Sequence, residues 1–74
     1  HQANKRIIDK VVKDLKASSE QFFLNVSDYG NTSAASIPIA LNDAITKQQI
    51  KNGDQIMLIG FGGGLTWGGC IVSI

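Results

Sequence analysis

The chain has 74 residues, 43% hydrophobic and 18% charged, with a formal net charge of +1. That balance excludes a disordered tail, a fibrous repeat and an overall field strong enough to capture nucleic acid. A chain this short buries only about 60% of the surface its unfolded form exposes, so an independent core would be marginal.

No apolar run reaches the roughly 18 residues that read as a membrane span. The single cysteine cannot close an internal disulfide, and no second cysteine or histidine stands at metal-ligand spacing, which fits a reducing compartment and implies no metal. The chain opens on His1 without a methionine, as a piece of a longer protein would.

In chain order, Ile7, Ile8, Val11, Val12 and Leu15 share one face at helical periodicity, which predicts an amphipathic helix from Ala3 to Leu15. Arg6, Lys10 and Lys13 line its opposite face, flanked and partly neutralised by Asp9 and Asp14. After Ser18-Ser19-Glu20, the run Phe22-Phe23-Leu24-Asn25-Val26 reads as a short strand. Asp28-Tyr29-Gly30-Asn31-Thr32 is a turn-forming cluster. A second helix should begin near Thr32 or Ser33 and run to about Lys47. Pro38 removes a helical donor, so regular helix either starts near Ile37 or kinks there.

Lys51-Asn52-Gly53-Asp54 is a turn, and Ile56-Met57-Leu58-Ile59 after it is an unbroken apolar run. A second such run, Cys70-Ile71-Val72-Ser73-Ile74, closes the chain. Both read as strands covered on two faces, for which two helices are too few. Gly60 to Gly69 holds six glycines in ten residues. No lysine follows them and Leu65 stands where a dinucleotide fingerprint needs its last glycine, so phosphate-cradling patterns fail. A hairpin with positive-φ glycines is one reading; a backbone that approaches a ligand closely and donates N–H groups to an oxyanion is the other.

Two side chains offer complementary chemistry. The imidazole of His1, as a neutral donor, and the carboxamide of Asn31 can both donate to one oxygen, which stabilises an enolate or a tetrahedral oxyanion. Singly, His1 reads as a structural or exposed histidine, and Asn31 as a turn residue or helix cap. Cys70 lies in an apolar strand with no charged sequence neighbour, and reads as a buried small hydrophobe rather than a nucleophile.

Three segments carry a resemblance: His1-Gln2-Ala3-Asn4, Gly30-Asn31-Thr32-Ser33-Ala34-Ala35-Ser36-Ile37-Pro38, and Gly60-Phe61-Gly62-Gly63-Gly64-Leu65-Thr66-Trp67-Gly68. In this order and at these gaps the chain resembles the β-ketoacyl-acyl-carrier-protein synthase III family along its whole length, as roughly the last quarter of such an enzyme. The resemblance implies an α/β, thiolase-like fold, with residues 1–74 the C-terminal part of its second half in the order helix-strand-helix-strand-strand. It implies a decarboxylative condensation of acyl-CoA with malonyl-acyl carrier protein that initiates fatty-acid synthesis, in a cytoplasmic homodimer without a further cofactor. His1 and Asn31 would hold the malonyl thioester carbonyl, with Phe61 an apolar wall beside His1 that disfavours imidazolium. The Gly63 N–H would serve the oxyanion hole, Asn4 would lie near the coenzyme A arm, and Arg6 and Lys13 would dock the carrier protein. Asp14 replaces a basic residue found in some relatives, which implies weaker or displaced docking.

The nucleophilic cysteine of that family has no counterpart here, so the chain alone should be inactive. Asn31 distinguishes it from elongating ketosynthases, which resemble this family but use a second histidine. A polyketide-type condensing enzyme, or a non-catalytic module that binds coenzyme A or carrier protein, are the alternatives. Alone, the uncovered strands and helix face should drive self-association or partial unfolding.

Overall fold

A computed structural model describes residues 1–64 and 66–74; Leu65, within the glycine-rich segment, lies outside the described residues. The elements are α1 (Lys5–Asp14), α2 (Val26–Tyr29), α3 (Ser36–Thr46), β1 (Gln55–Phe61) and β2 (Trp67–Ser73), with 3-10 turns at Ser19–Gln21 and Ser33–Ala35.

Helix α1 starts where the Asn4 side chain accepts the Arg6 N–H at 2.7 Å. Lys5–Asp9 at 2.9 Å and Lys10–Asp14 at 3.3 Å pair along its exposed side, so two of the carboxylates beside the basic stripe are engaged. It ends in a Schellman arrangement: Lys16 N–H bonds Lys13 O and Ala17 N–H bonds Val12 O, each at 3.1 Å. Lys16 occupies the left-handed position that glycine usually fills, at φ 52°.

The strand expected over Phe22–Val26 is not formed. Phe22 is extended, but Val26 already opens α2, and the segment pairs with no strand among the described residues. The Gln2 carboxamide takes the place of a partner strand: its Nε2 donates to Phe23 O and its Oε1 accepts from Asn25 N–H, both at 2.9 Å. The turn expected at Asp28–Thr32 begins two residues later, at Gly30, because Asp28 and Tyr29 complete α2.

Helix α3 begins at Ser36, directly after a 3-10 turn, so Pro38 stands in its first turn. There a backbone N–H has no intrahelical acceptor, and its loss needs no kink. The helix ends at Thr46 in a second Schellman arrangement with Gln48 left-handed, at φ 58°.

The two strands form an antiparallel hairpin, registered from Gln55 opposite Ser73 to Phe61 opposite Trp67. Gly62 N–H to Thr66 O and Ile74 N–H to Asp54 O, both 3.0 Å, mark the hydrogen-bonded pairs at its two ends. By antiparallel alternation, the odd-numbered residues of β1 present their N–H and C=O groups to the outer edge. The hairpin reading is met without positive-φ glycines in its loop: among the described glycines only Gly30 and Gly53 are left-handed. Gly60 and Gly69 pack closely against the chain itself, where an added Cβ would stand 3.4 Å from Ile37 Cδ1 and 3.2 Å from Leu58 O.

Neither strand is covered on two faces. Ile56, Leu58 and Gly60 are half-buried, whereas Met57, Ile59 and Phe61 are exposed. Cys70, expected to be buried, is exposed, because no further layer covers this side of β2. Among the described residues the buried positions are Ala44, Gln2, Asn25 and Ser36, one small apolar residue and three polar ones. A core of that composition is the joint between elements rather than a hydrophobic centre.

Candidate active site

His1 is fixed twice to the outer edge of β1. Its main-chain nitrogen donates to Ile59 O at 2.6 Å, and its ring Nδ1 lies 2.8 Å from Phe61 O. Those carbonyls are two residues apart on one strand edge, so the imidazole stands in for the next ladder donor. The Phe61 ring lies against it, centroids 4.8 Å apart and planes inclined by 38°.

Asn31 arrives by a different route. Gly30 ends α2 at φ 74° and ψ −168°, a region essentially reserved for glycine, and turns the chain back toward β1. The Asn31 Oδ1 then accepts the Ser33 N–H at 3.0 Å, an Asx turn with Ser33 left-handed at φ 55°. The sequence places these two residues thirty apart; the fold brings His1 Nε2 to 3.4 Å from Asn31 Oδ1.

Hydrogen-bond valence decides what the pair can offer. A carbonyl only accepts, so the proton beside Phe61 O is on Nδ1 of His1. The neutral ring then has its lone pair on Nε2, and only a ring carrying both protons donates there. The Phe61 main chain thus meets the imidazole at Nδ1 while the Phe61 ring packs beside it. Asn31 is the simpler partner. With Oδ1 turned to Ser33 N–H, its Nδ2 donors are left for a ligand.

His1 and Asn31 open onto one groove of about 940 Å³, whose lining includes Ile37, Phe61, Gly63 and Cys70. Gly63 is at its rim, with nothing within 4 Å of an added Cβ. Asn4, Arg6 and Lys13 are not part of it. Asn4 caps α1, while Arg6 and Lys13 are exposed on that helix and take no carboxylate partner among the described residues. Arg6 instead borders a shallow depression with Ile7, Lys10, Val11 and Asp14.

Three residues without a sequence-assigned role support the site: Gln2, Asn25 and Ser33. Asn25 is only 2% exposed and donates from Nδ2 to Asp43 Oδ2 at 3.3 Å, with Lys47 paired to the same carboxylate oxygen. The available signals were an asparagine interrupting an apolar run, and the Asn31-Thr32-Ser33 spacing of an Asx turn. Among the described residues no cluster of three metal-ligating side chains occurs, and no helix is long and apolar enough to cross a membrane.

Residues 1–74 match the family model described as 3-Oxoacyl-[acyl-carrier-protein (ACP)] synthase III C terminal. The chain is 55% identical over 74 residues to a β-ketoacyl-[acyl-carrier-protein] synthase III of Clostridium perfringens, covering all of this chain and 23% of that protein. A Streptococcus pyogenes protein of the same name is 57% identical over 76 residues, again covering all of this chain and 24% of the relative. Among solved structures, the β-ketoacyl-[acyl-carrier-protein] synthase III of Thermus thermophilus superposes with a TM-score of 0.94 at 46% identity, over the whole of this chain and 23% of its own. The 3-oxoacyl-[acyl-carrier-protein] synthase III of Aquifex aeolicus gives 0.94 at 50% identity, over the whole of this chain and 24% of its own. The chain therefore spans about a quarter of the length of the relatives it matches.

Proposed function

The chain belongs to the C-terminal family of 3-oxoacyl-[acyl-carrier-protein] synthase III, and on that premise we propose that it supplies the decarboxylation half of a condensing active site. In the intact synthase an acyl group passes from coenzyme A to a cysteine thiolate outside these residues. Malonyl-acyl carrier protein then loses carbon dioxide, its C–C bonding pair becoming an enolate. The enolate carbon attacks the cysteine thioester, which expels the thiolate and forms 3-oxoacyl-acyl carrier protein.

Within this scheme His1 and Asn31 hold the malonyl thioester oxygen as it gains negative charge. Asn31 donates from Nδ2 and His1 from Nε2, a donation that needs a ring proton besides the one Phe61 O engages at Nδ1. The Gly63 N–H serves the tetrahedral oxyanion of the acyl-cysteine. Arg6 and Lys13 favour approach of an acidic carrier protein, and Asn4 stands near the coenzyme A arm while its side chain caps α1. The parent is a cytoplasmic homodimer, and residues 1–74 alone are inactive because the nucleophile is elsewhere.

The single observation behind this reading is the meeting of His1 and Asn31, 3.4 Å apart, on a groove shared with Gly63. The test is to make His1→Ala and Asn31→Ala in the intact synthase and follow its half-reactions separately. Each should slow malonyl decarboxylation by about 100-fold or more while cysteine acylation persists. Equal loss of both half-reactions, or of neither, contradicts the assignment.

A further inference from the structure

The two groups of the site belong to different parts of the molecule. His1 is bonded to the outer edge of β1, whereas Asn31 is carried at the end of α2, ahead of α3. Their separation is set by whatever joins those parts. Near the site the polar joint is the side chain of Gln2, next in sequence to His1. It is only 8% exposed, and both ends of its carboxamide are used, Nε2 to Phe23 O and Oε1 from Asn25 N–H. Asn25 immediately precedes α2 and is itself anchored to α3 through Asp43. A short path of ordered contacts thus runs from His1 through Gln2 and Asn25 to α2, Gly30 and Asn31.

We infer that Gln2 is a positioning residue: its buried carboxamide sets the distance between His1 and Asn31, and with it the rate of the decarboxylation step, resting on the function proposed above. The amide is suited to this because it offers one donor and one acceptor, matching a carbonyl and an N–H two residues apart on an extended segment. Leucine fills similar space but leaves the buried Asn25 N–H and the part-buried Phe23 carbonyl without this partner. Glutamate keeps the acceptor for Asn25 N–H and sets a carboxylate against Phe23 O. Neither change touches the reacting atoms, so its effect passes through geometry.

The experiment uses the intact synthase with Gln2→Leu, Gln2→Glu and His1→Ala. It measures cysteine acylation from acyl-CoA, condensation with malonyl-acyl carrier protein, and melting temperature. Expected is a fall of about 10- to 100-fold in condensation kcat for both Gln2 variants, with KM for malonyl-acyl carrier protein and the acylation rate within about twofold of the parent. If Gln2→Leu does not fold, Gln2→Glu carries the same readout. Unchanged condensation, a parallel loss of acylation and condensation, or failure of both variants to fold overturns the inference. Condensation that survives His1→Ala removes the proposed function as well; loss in His1→Ala beside normal Gln2 variants removes this inference alone.

Discussion

At His1 the decisive contact is with a main-chain carbonyl. Because Phe61 O accepts and cannot donate, Nδ1 carries a proton in either charge state, and Nε2 changes from acceptor to donor on protonation. Nitrogen NMR of the intact synthase, selectively labelled at histidine and assigned with His1→Ala, should show a protonated Nδ1 at His1. A neutral ring protonated at Nε2 contradicts the assignment. Gly30 makes the complementary point for Asn31. Alanine there has open space around its Cβ but must adopt φ 74° and ψ −168°, so the strain is conformational rather than steric. Gly30→Ala should cost about 1–3 kcal/mol or move the loop, seen as a lower melting temperature together with slower condensation. The motif around each residue identified His1 and Asn31 from sequence. It could not reveal Gln2, because a carboxamide clamp becomes visible only when distant backbone groups are placed; the Asx turn from Asn31 to Ser33 is local and its spacing stands in the sequence.

Among the elements, periodicity served the helices better than the strands. The five apolar positions of α1 and the caps around it are local properties, readable within a few residues. Phe22–Val26 had the composition of a strand, but composition cannot supply the neighbouring chain that a ladder requires. The segment bonds a side chain instead. Both long helices also end with a side chain forced left-handed, Lys16 after α1 and Gln48 after α3. Lys16→Gly should therefore stabilise the fold by about 0.5–1 kcal/mol, readable by calorimetry; a lower melting temperature would contradict the cap geometry. At the other end of α1, Asn4→Ala should weaken the helix start by about 1 kcal/mol, roughly fivefold faster hydrogen exchange at the Arg6 amide. Unaltered exchange would show that the Asn4 cap contributes nothing.

Over the whole molecule, the apolar surface exceeds what the described elements cover. Trp67 is 80% exposed, and Met57 and Ile71 are each 62% exposed, together on one side of the hairpin. The sequence expectation of two-sided burial holds only if further layers pack there, and the relatives are about four times longer. Isolated residues 1–74 should self-associate in sedimentation at micromolar concentration; a monodisperse monomer would show that this surface is tolerated. What the chain contributes to the whole is a pair of side chains held on separate elements and aimed at one groove. The direct test is a crystal structure of the intact synthase with a non-reactive malonyl thioester analogue. The thioester oxygen should lie about 2.7–3.2 Å from both His1 Nε2 and Asn31 Nδ2. An oxygen bound by neither group, with the two side chains turned to different cavities, would contradict the mechanism.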